Sequence, residues 1–170
     1  MIPEIDTILY ASDLGESSRS AFLMAAKEAY RHNARLVFLN IVEPANSTTE
    51  TMLDSFMEEG AVEQMRAQGI EKIKYLMQSR LDAFKQKDLK DKIPLQYEPI
   101  TRVEEGPAAE TIIKVADEIK ADMIIMGTRT RTHSALGRFF VGSTAQSVMQ
   151  LTNRPVLIVP LPLPLPLPED

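Results

Sequence analysis

Residues 123–159, MIIMGTRTRTHSALGRFFVGSTAQSVMQLTNRPVLIV, decide how this chain is built. The run MIIM reads as a buried strand that stops at Gly127, and a polar loop carrying arginines follows as far as Gly142. Ser143 then offers an N-cap to a segment whose Thr144, Val148 and Leu151 recur at helical spacing and face inward, and Asn153 is suited to close it. The residues from Val156 to Val159 form another short apolar strand. Strand, loop, helix, strand is the unit of a parallel sheet, because a crossover is needed to lay the second strand beside the first in the same direction. No acidic residue lies between Asp122 and Glu169, so Arg129, Arg131, Arg138 and Arg154 give this stretch about +4, against about −7 over residues 1–122 and −2 from Glu169 and Asp170. The basic loop is a local feature of an acidic protein, and a phosphate would be comfortable there.

Outward from this stretch the same alternation repeats. TILYA at residues 7–11 reads as a strand, and a polar turn leads to a helix marked by Ala21, Met24, Ala25 and Ala29, starting near Ser17 or Ser18 and stopping at Asn33. RLVFLNIV at 35–42 is a second buried strand. In residues 49–88 the positions Ile70, Ile73, Met77, Leu81 and Phe84 keep helical spacing, while Gly60 and Gly69 punctuate the segment, which predicts one long helix preceded by a shorter one. Residues 95–103 alternate, with Leu95, Tyr97, Pro99, Thr101 and Val103 on one side, which predicts a third strand with a bend or bulge at Pro99. Gly106-Pro107 places proline at the first position of a helix whose stripe is Ala108, Ile112, Val115, Ala116 and Ile119. The fold class is therefore α/β, a mainly parallel sheet of five strands with helices on both faces, and ligands bind beyond the carboxyl ends of the strands, at Asp13, Val42 and Gly127.

Composition narrows the function. A length of 170 residues with 44% hydrophobic and 25% charged residues is that of one globular domain, and a net charge of −5 argues against a general nucleic-acid binder. No cysteine is present, and His32 and His133 alone cannot form a zinc cluster, so a metal would arrive with its ligand. His133, a single loop histidine, reads as an exposed polar residue rather than a catalytic one. The amino terminus lacks a basic segment followed by a long apolar core, and prolines interrupt the apolar run VLIVPLPLPLPLP, so no membrane association is expected and the protein is read as cytoplasmic. Residues 1–160 are expected to form a single domain, with 43–92 as a loop and helical insertion, and 161–170 a proline-rich tail in polyproline II that acts as a semi-rigid arm.

A first strand leading to ASD at Asp13, a second ending LNIVEP, the run AETIIKVADEIKADMIIMGTR and the segment GRFFVGSTAQSVMQLTNRPVLIVP resemble the universal stress protein family over residues 5–160. The resemblance implies a Rossmann-like three-layer sandwich with strand order 3-2-1-4-5, frequent homodimerisation, and membership of either an ATP-binding or a non-binding branch. The binding branch carries G-x-x-G-x9-G-[ST] after strand four. Gly127, Gly142 and Ser143 match it, whereas the middle glycine is absent: Thr130 or Thr132 occupies that place, depending on the end counted from, and the loop is two residues longer. Physically the motif needs glycine where backbone approaches phosphate oxygens, and a helix start whose N–H groups face the anion. A threonine still presents a backbone N–H, and the added arginines supply positive charge.

The resemblance assigns roles by position. Ala11 and Ser12 lead to Asp13, which would accept hydrogen bonds from the nucleoside end; Ile41 would offer backbone groups to the adenine edge; Met126 would pack on the base. Gly127, Thr128 and Arg129 would lie by the ribose and the start of the loop, and Thr132, Gly142, Ser143 and Thr144 by the phosphates. Magnesium, where it accompanies ATP, would be held largely by phosphate and water, since the basic loop holds no carboxylate. Each residue also has a plain structural reading: Asp13 as a turn acceptor, Gly127 as a tight turn, Ser143 as an N-cap, Met126 as core and the arginines as a solvated face.

Neither G-x-x-x-x-G-K-[ST], G-x-G-x-x-G after strand one nor G-x-S-x-G occurs, which sets aside P-loop NTPases, dinucleotide dehydrogenases and α/β-hydrolases. Without an evident base to position water, catalysis would be at most a weak ATPase activity. Two readings stand: an ATP-binding regulatory module of the stress response, and a dimeric interaction protein of the non-binding branch acting on an unknown client protein. Dimerisation is expected through the strand from Val156 to Val159, an apolar edge whose length Pro155 and Pro160 would limit.

Overall fold

A computed structural model describes residues 3–12, 19–43, 61–89, 93–129, 131–133, 138–140 and 142–161, and structural statements below concern these residues. Their elements in chain order are β1 (Thr7–Ala11), α1 (Arg19–His32), β2 (Arg35–Val42), α2 (Ala61–Phe84) with a π-helical turn at Lys85–Leu89, β3 (Ile100–Glu105), α3 (Ala108–Glu118), β4 (Met123–Arg129), β5 (Arg131–His133), β6 (Arg138–Phe140), α4 (Ser143–Leu151) and β7 (Val156–Leu161). The main sheet has five strands in the order β3-β2-β1-β4-β7, every neighbouring pair parallel, and β5 and β6 form a separate antiparallel pair. With β7 as the fifth strand of the sheet, this is the expected order 3-2-1-4-5.

Strand alternation divides the core into two layers. Ile8 and Tyr10 of β1, Leu36 and Phe38 of β2 and Ile125 of β4 pack with Ala21, Phe22, Ala25 and Ala29 of α1 and Met77 and Leu81 of α2. Leu9, Leu39, Ile124 and Met126 point the other way, against Ile112, Val115 and Ala116 of α3 and Ala145 and Val148 of α4. Nearly every residue of the central strands is therefore buried, which is why they read as continuous apolar runs. An aromatic cluster fills the first layer: Phe22 stacks on Phe84 at 4.3 Å between ring centroids and meets Phe38 edge-on at 5.9 Å, and Tyr10 stacks on Phe38 at 5.3 Å.

Several boundaries differ from the sequence expectation. Helix α1 closes as predicted at Asn33, whose φ of 53° is the left-handed conformation; the expected caps at Ser17 and Ser18, like the shorter helix ahead of α2, lie outside the described residues. Gly69 does not interrupt α2, because a helix held by Met77 and Leu81 tolerates one glycine. The third strand begins at Ile100 rather than Leu95: Pro99 has no N–H to give a ladder, and the segment before it packs Leu95 on the core without pairing. Pro107 is the N-cap of α3 (ψ 132°) and not its first helical residue. At α4 the N-cap is Gly142, with no side-chain cap, so Ser143 is the first helical residue rather than the cap. Leu151, expected inward, is 62% exposed, because the helix ends there and buries only Ala145 and Val148.

Two further differences shape the carboxyl side of the sheet. Strand β4 runs on through Gly127 and Thr128 to Arg129, and the predicted loop contains the β5–β6 hairpin. Strand β7 continues through Pro160 to Leu161, although Pro160 was expected to stop it. The ladder explains why: the Ile124 N–H donates to the Pro155 carbonyl at 2.9 Å while Ile124 stands opposite Val156, so odd-numbered residues of β7 bond to β4 and even-numbered ones face outward. Pro160 therefore falls on the free edge, where its missing N–H costs the sheet nothing.

Candidate functional site

In a parallel sheet all strands end on one side, and the helices that return to the start of the next strand begin on that side. The described candidate residues of β1, β2, β4 and the start of α4 lie on that side. Ala11 is level with Leu39 of β2 and Met126 of β4, and at that rung the central strand stops. Its neighbours do not: β2 continues through Asn40, Ile41 and Val42, and β4 through Gly127, Thr128 and Arg129. Among the described residues, the early end of β1 leaves a notch between β2 and β4, about 10 Å wide at two strand spacings. The notch lies where the winding reverses, since β2 and β3 follow to one side of β1 and β4 and β7 lie on the other.

The notch is walled by backbone. On the side of α3 and α4 its floor is apolar: Ala11 and Met126 are buried and Ile41 half-buried within the second core layer. Met126 is thus a core residue. Ser12 follows Ala11 and donates its N–H to the Leu39 carbonyl at 2.9 Å. Asp13, the expected acceptor for the nucleoside end, lies outside the described residues. Gly127 lies in β4 one rung above Met126, opposite Val159, and Thr128 and Arg129 follow opposite Pro160 and Leu161. Thr132 stands in β5, opposite Phe139 of β6.

Helix α4 begins on the same side. Gly142 has φ −56° and ψ 150°, and the Gln146 N–H is the first to reach back along the helix, donating to the Gly142 carbonyl at 3.0 Å. The N–H groups of Ser143, Thr144 and Ala145 precede that bond, and the N-cap, Gly142, has no side chain to cap them. Their dipoles add to the positive end of the helix, an arrangement chemically suited to an oxyanion or a phosphate. The donor set of the first turn therefore fits a polyphosphate.

One charged residue of the basic stretch belongs elsewhere. Arg154 precedes β7 at the opposite end of the sheet, where its Nε donates to the Ala121 carbonyl at 2.6 Å and its guanidinium pairs with Asp117. It closes the foot of the sheet and adds nothing to the notch. Asp122 is at the same foot, its Oδ2 accepting the N–H groups of Asp6 and Thr7 at 2.9 and 3.0 Å. On β3, Arg102 binds Glu104 at 2.6 Å and also pairs with Glu118, and these carboxylates hold its guanidinium still more firmly protonated than usual.

Sequence reasoning passed over Asn40. This side chain is buried, and its Nδ2 donates to the Ser12 carbonyl at 2.8 Å, where β1 leaves the sheet. The signal was present as a lone amide within the apolar run RLVFLNIV. Also unforeseen is an open groove of about 530 Å³ between α2 and the edge strand β3, lined by residues including Lys74, Tyr75, Gln78, Thr101 and Arg102. Tyr75, in its lining, is 77% exposed.

Among known proteins, the family model described as the Universal stress protein family matches residues 4–160. A universal stress protein of Thermus aquaticus is 32% identical over 153 residues, covering 90% of this chain and 97% of its own length. One from Synechocystis is 29% identical over 157 residues, covering 91% and 85%. Among solved structures, a universal stress protein from Lactobacillus plantarum has a TM-score of 0.64 at 22% identity, covering 93% of this chain and 99% of its own. Another, solved in complex with cAMP, has a TM-score of 0.53 at 20% identity, with 93% and 98% covered. At these identities the structural likeness shows the fold.

Proposed function

The chain belongs to the universal stress protein family, and from that premise we propose that it is a cytoplasmic, ATP-binding regulatory module of the stress response. The observation that carries the reading is the notch left by the early end of β1, bordered by Ile41 and Gly127, with the uncapped first turn of α4 on the same side of the sheet. An adenine fits a flat, apolar-floored slot whose walls offer strand backbone, and phosphates fit a helix start rich in N–H groups. In this reading Ala11, Ser12 and Asp13 receive the nucleoside, with Asp13 accepting its hydrogen bonds. Ile41 and Met126 flank the base, and Gly127 lets the ribose approach the backbone. Thr128, Arg129 and Thr132 lead to the phosphates held by Gly142, Ser143 and Thr144. The relative solved with cAMP supports an adenine nucleotide as the ligand class. Magnesium would be bound by phosphate and water and would offset the phosphate charge.

No step of hydrolysis follows from these groups, since a site of backbone amides and arginines orients phosphates but supplies no base to an attacking water. At most a slow ATPase results. Regulation follows from differential binding: if one arrangement of the segment 127–142 holds ATP better, occupancy favours it and changes the surface offered to a client protein. Pairing of two copies through β7 is part of the same proposal. Its outward edge carries the N–H groups of Val156 and Ile158 and none at Pro160, so antiparallel pairing would centre on Val156–Ile158 rather than slide toward the tail.

A second reading, a ligand-free dimeric interaction protein, is favoured by the missing middle glycine and by the groove that exposed Tyr75 lines. Titration calorimetry of nucleotide-stripped protein with ATP and Mg²⁺, with GTP and AMP as controls, separates the two. Adenine-selective binding at micromolar concentration that needs the phosphates supports the first; no heat with any nucleotide leaves the second.

A further inference from the structure

We propose that Asn40 is the positioning residue of the nucleoside end, acting through Ser12 at the end of β1. The consequence for ligand binding rests on the nucleotide reading above; the geometry does not. Asparagine is disfavoured inside strands, and a buried amide is costly unless bonded, so its place in the middle of RLVFLNIV breaks the local rule that the rest of β2 obeys. Breaks of this kind concentrate where function needs them.

Ala11 and Leu39 form the last registered pair between β1 and β2. At Ser12 the last ladder bond is joined by one from a side chain. The Ser12 N–H donates to the Leu39 carbonyl at 2.9 Å, and Asn40 Nδ2 donates to the Ser12 carbonyl at 2.8 Å. Ser12 is thus gripped by β2 at both its amide and its carbonyl. With both groups held, the orientation of Ser12 at the end of β1 is fixed. A leucine or valine at position 40 would suit the strand but would supply no donor there. Asn40 touches no ligand in this assignment; it holds Ser12, which the nucleotide reading places at the nucleoside.

Two variants test it. Asn40→Ala removes the amide, and Asn40→Asp keeps its shape while replacing the donor with an acceptor facing the Ser12 carbonyl. Both should raise the dissociation constant for Mg²⁺-ATP about tenfold, the worth of one buried hydrogen bond. Binding of inorganic tripolyphosphate, which reads only the start of α4, should stay within about twofold, because sites without shared partners act independently. In the ligand-free protein, amide exchange at Ser12 should quicken about tenfold while Leu9 and Tyr10 stay unchanged. Equal weakening of ATP and tripolyphosphate, or no weakening of either, overturns the assignment, as does unaltered exchange at Ser12. If the wild type binds neither ligand, the nucleotide reading fails by itself and the exchange experiment alone decides the role of Asn40.

Discussion

Gly106, at the carboxyl end of β3, is the residue whose substitution the fold should tolerate least for its size. Its φ is +144°, a region that side-chain-bearing residues rarely enter, and a Cβ built there would stand 2.6 Å from Thr111 Oγ1. The neighbourhood has little room to move. Thr111 is buried in the first turn of α3, its N–H bonded to the Pro107 carbonyl at 3.0 Å, and the Gly106 N–H donates to the Val42 carbonyl at 3.1 Å. Gly106→Ala therefore combines backbone strain of roughly 1–3 kcal/mol with overpacking of about the same size. The expected total is about 2–5 kcal/mol, which at ~2–4 °C per kcal/mol lowers the melting temperature by roughly 5–20 °C.

Urea unfolding of wild type, Gly106→Ala, Thr111→Ala and the double variant resolves the two parts. Thr111→Ala removes the atom that the new Cβ meets but leaves φ unchanged. In the Gly106→Ala background it should therefore restore about 1–2 kcal/mol relative to its effect in the wild type, leaving the backbone strain. A Gly106→Ala protein within about 0.5 kcal/mol of wild type would refute both the strain and the contact, and strictly additive costs in the double variant would refute the contact.

Gly69→Ala should move stability in the opposite direction. The glycine sits inside α2, and an added Cβ meets nothing within 4 Å, so calorimetry should report a gain of about 0.5–1 kcal/mol; a loss would mean that α2 is not continuous there. Phe22→Ala removes the ring shared by Tyr10, Phe38 and Phe84 and should cost about 3–5 kcal/mol in urea unfolding, while a cost under ~1 kcal/mol would contradict the aromatic cluster. Asp13→Ala should weaken ATP by about tenfold and leave inorganic tripolyphosphate unaffected in competition titrations; an equal loss for both ligands would move Asp13 away from the nucleoside end.

Much of this fold could be read from the chain because the deciding signals are local. The strand RLVFLNIV has the predicted bounds, since Arg35 precedes a run that is apolar but for Asn40, and the stripe Ile112, Val115 and Ala116 buries as its spacing required. What escaped depends on partners distant in sequence. The alternation from Leu95 to Val103 looks like one strand, yet only Ile100 onward pairs with β2. Arg154 counts as a loop charge until Asp117 and the Ala121 carbonyl are seen to hold it at the foot of the sheet. The reach of β7 past Pro160 follows from ladder parity, which needs the register with β4. At the candidate site the sequence pointed to the strand ends and to Gly142-Ser143. The depth of the notch was hidden, because it depends on β1 stopping below both neighbours, and so was Asn40, because its meaning lies in a carbonyl on another strand.

The central claim, that phosphates of ATP lie against the start of α4, meets its most direct test in Gly142→Val. The φ of −56° and ψ of 150° at Gly142 are open to valine, so the backbone itself does not forbid the substitution. Mg²⁺-ATP binding by titration calorimetry, with a melting curve on the same samples, is the measurement. The account predicts a melting temperature within a few degrees of wild type together with a loss of ATP affinity of about a hundredfold or more, because the side chain occupies the approach to the first-turn N–H groups. A Gly142→Val protein that melts like wild type and still binds ATP with wild-type affinity would contradict it.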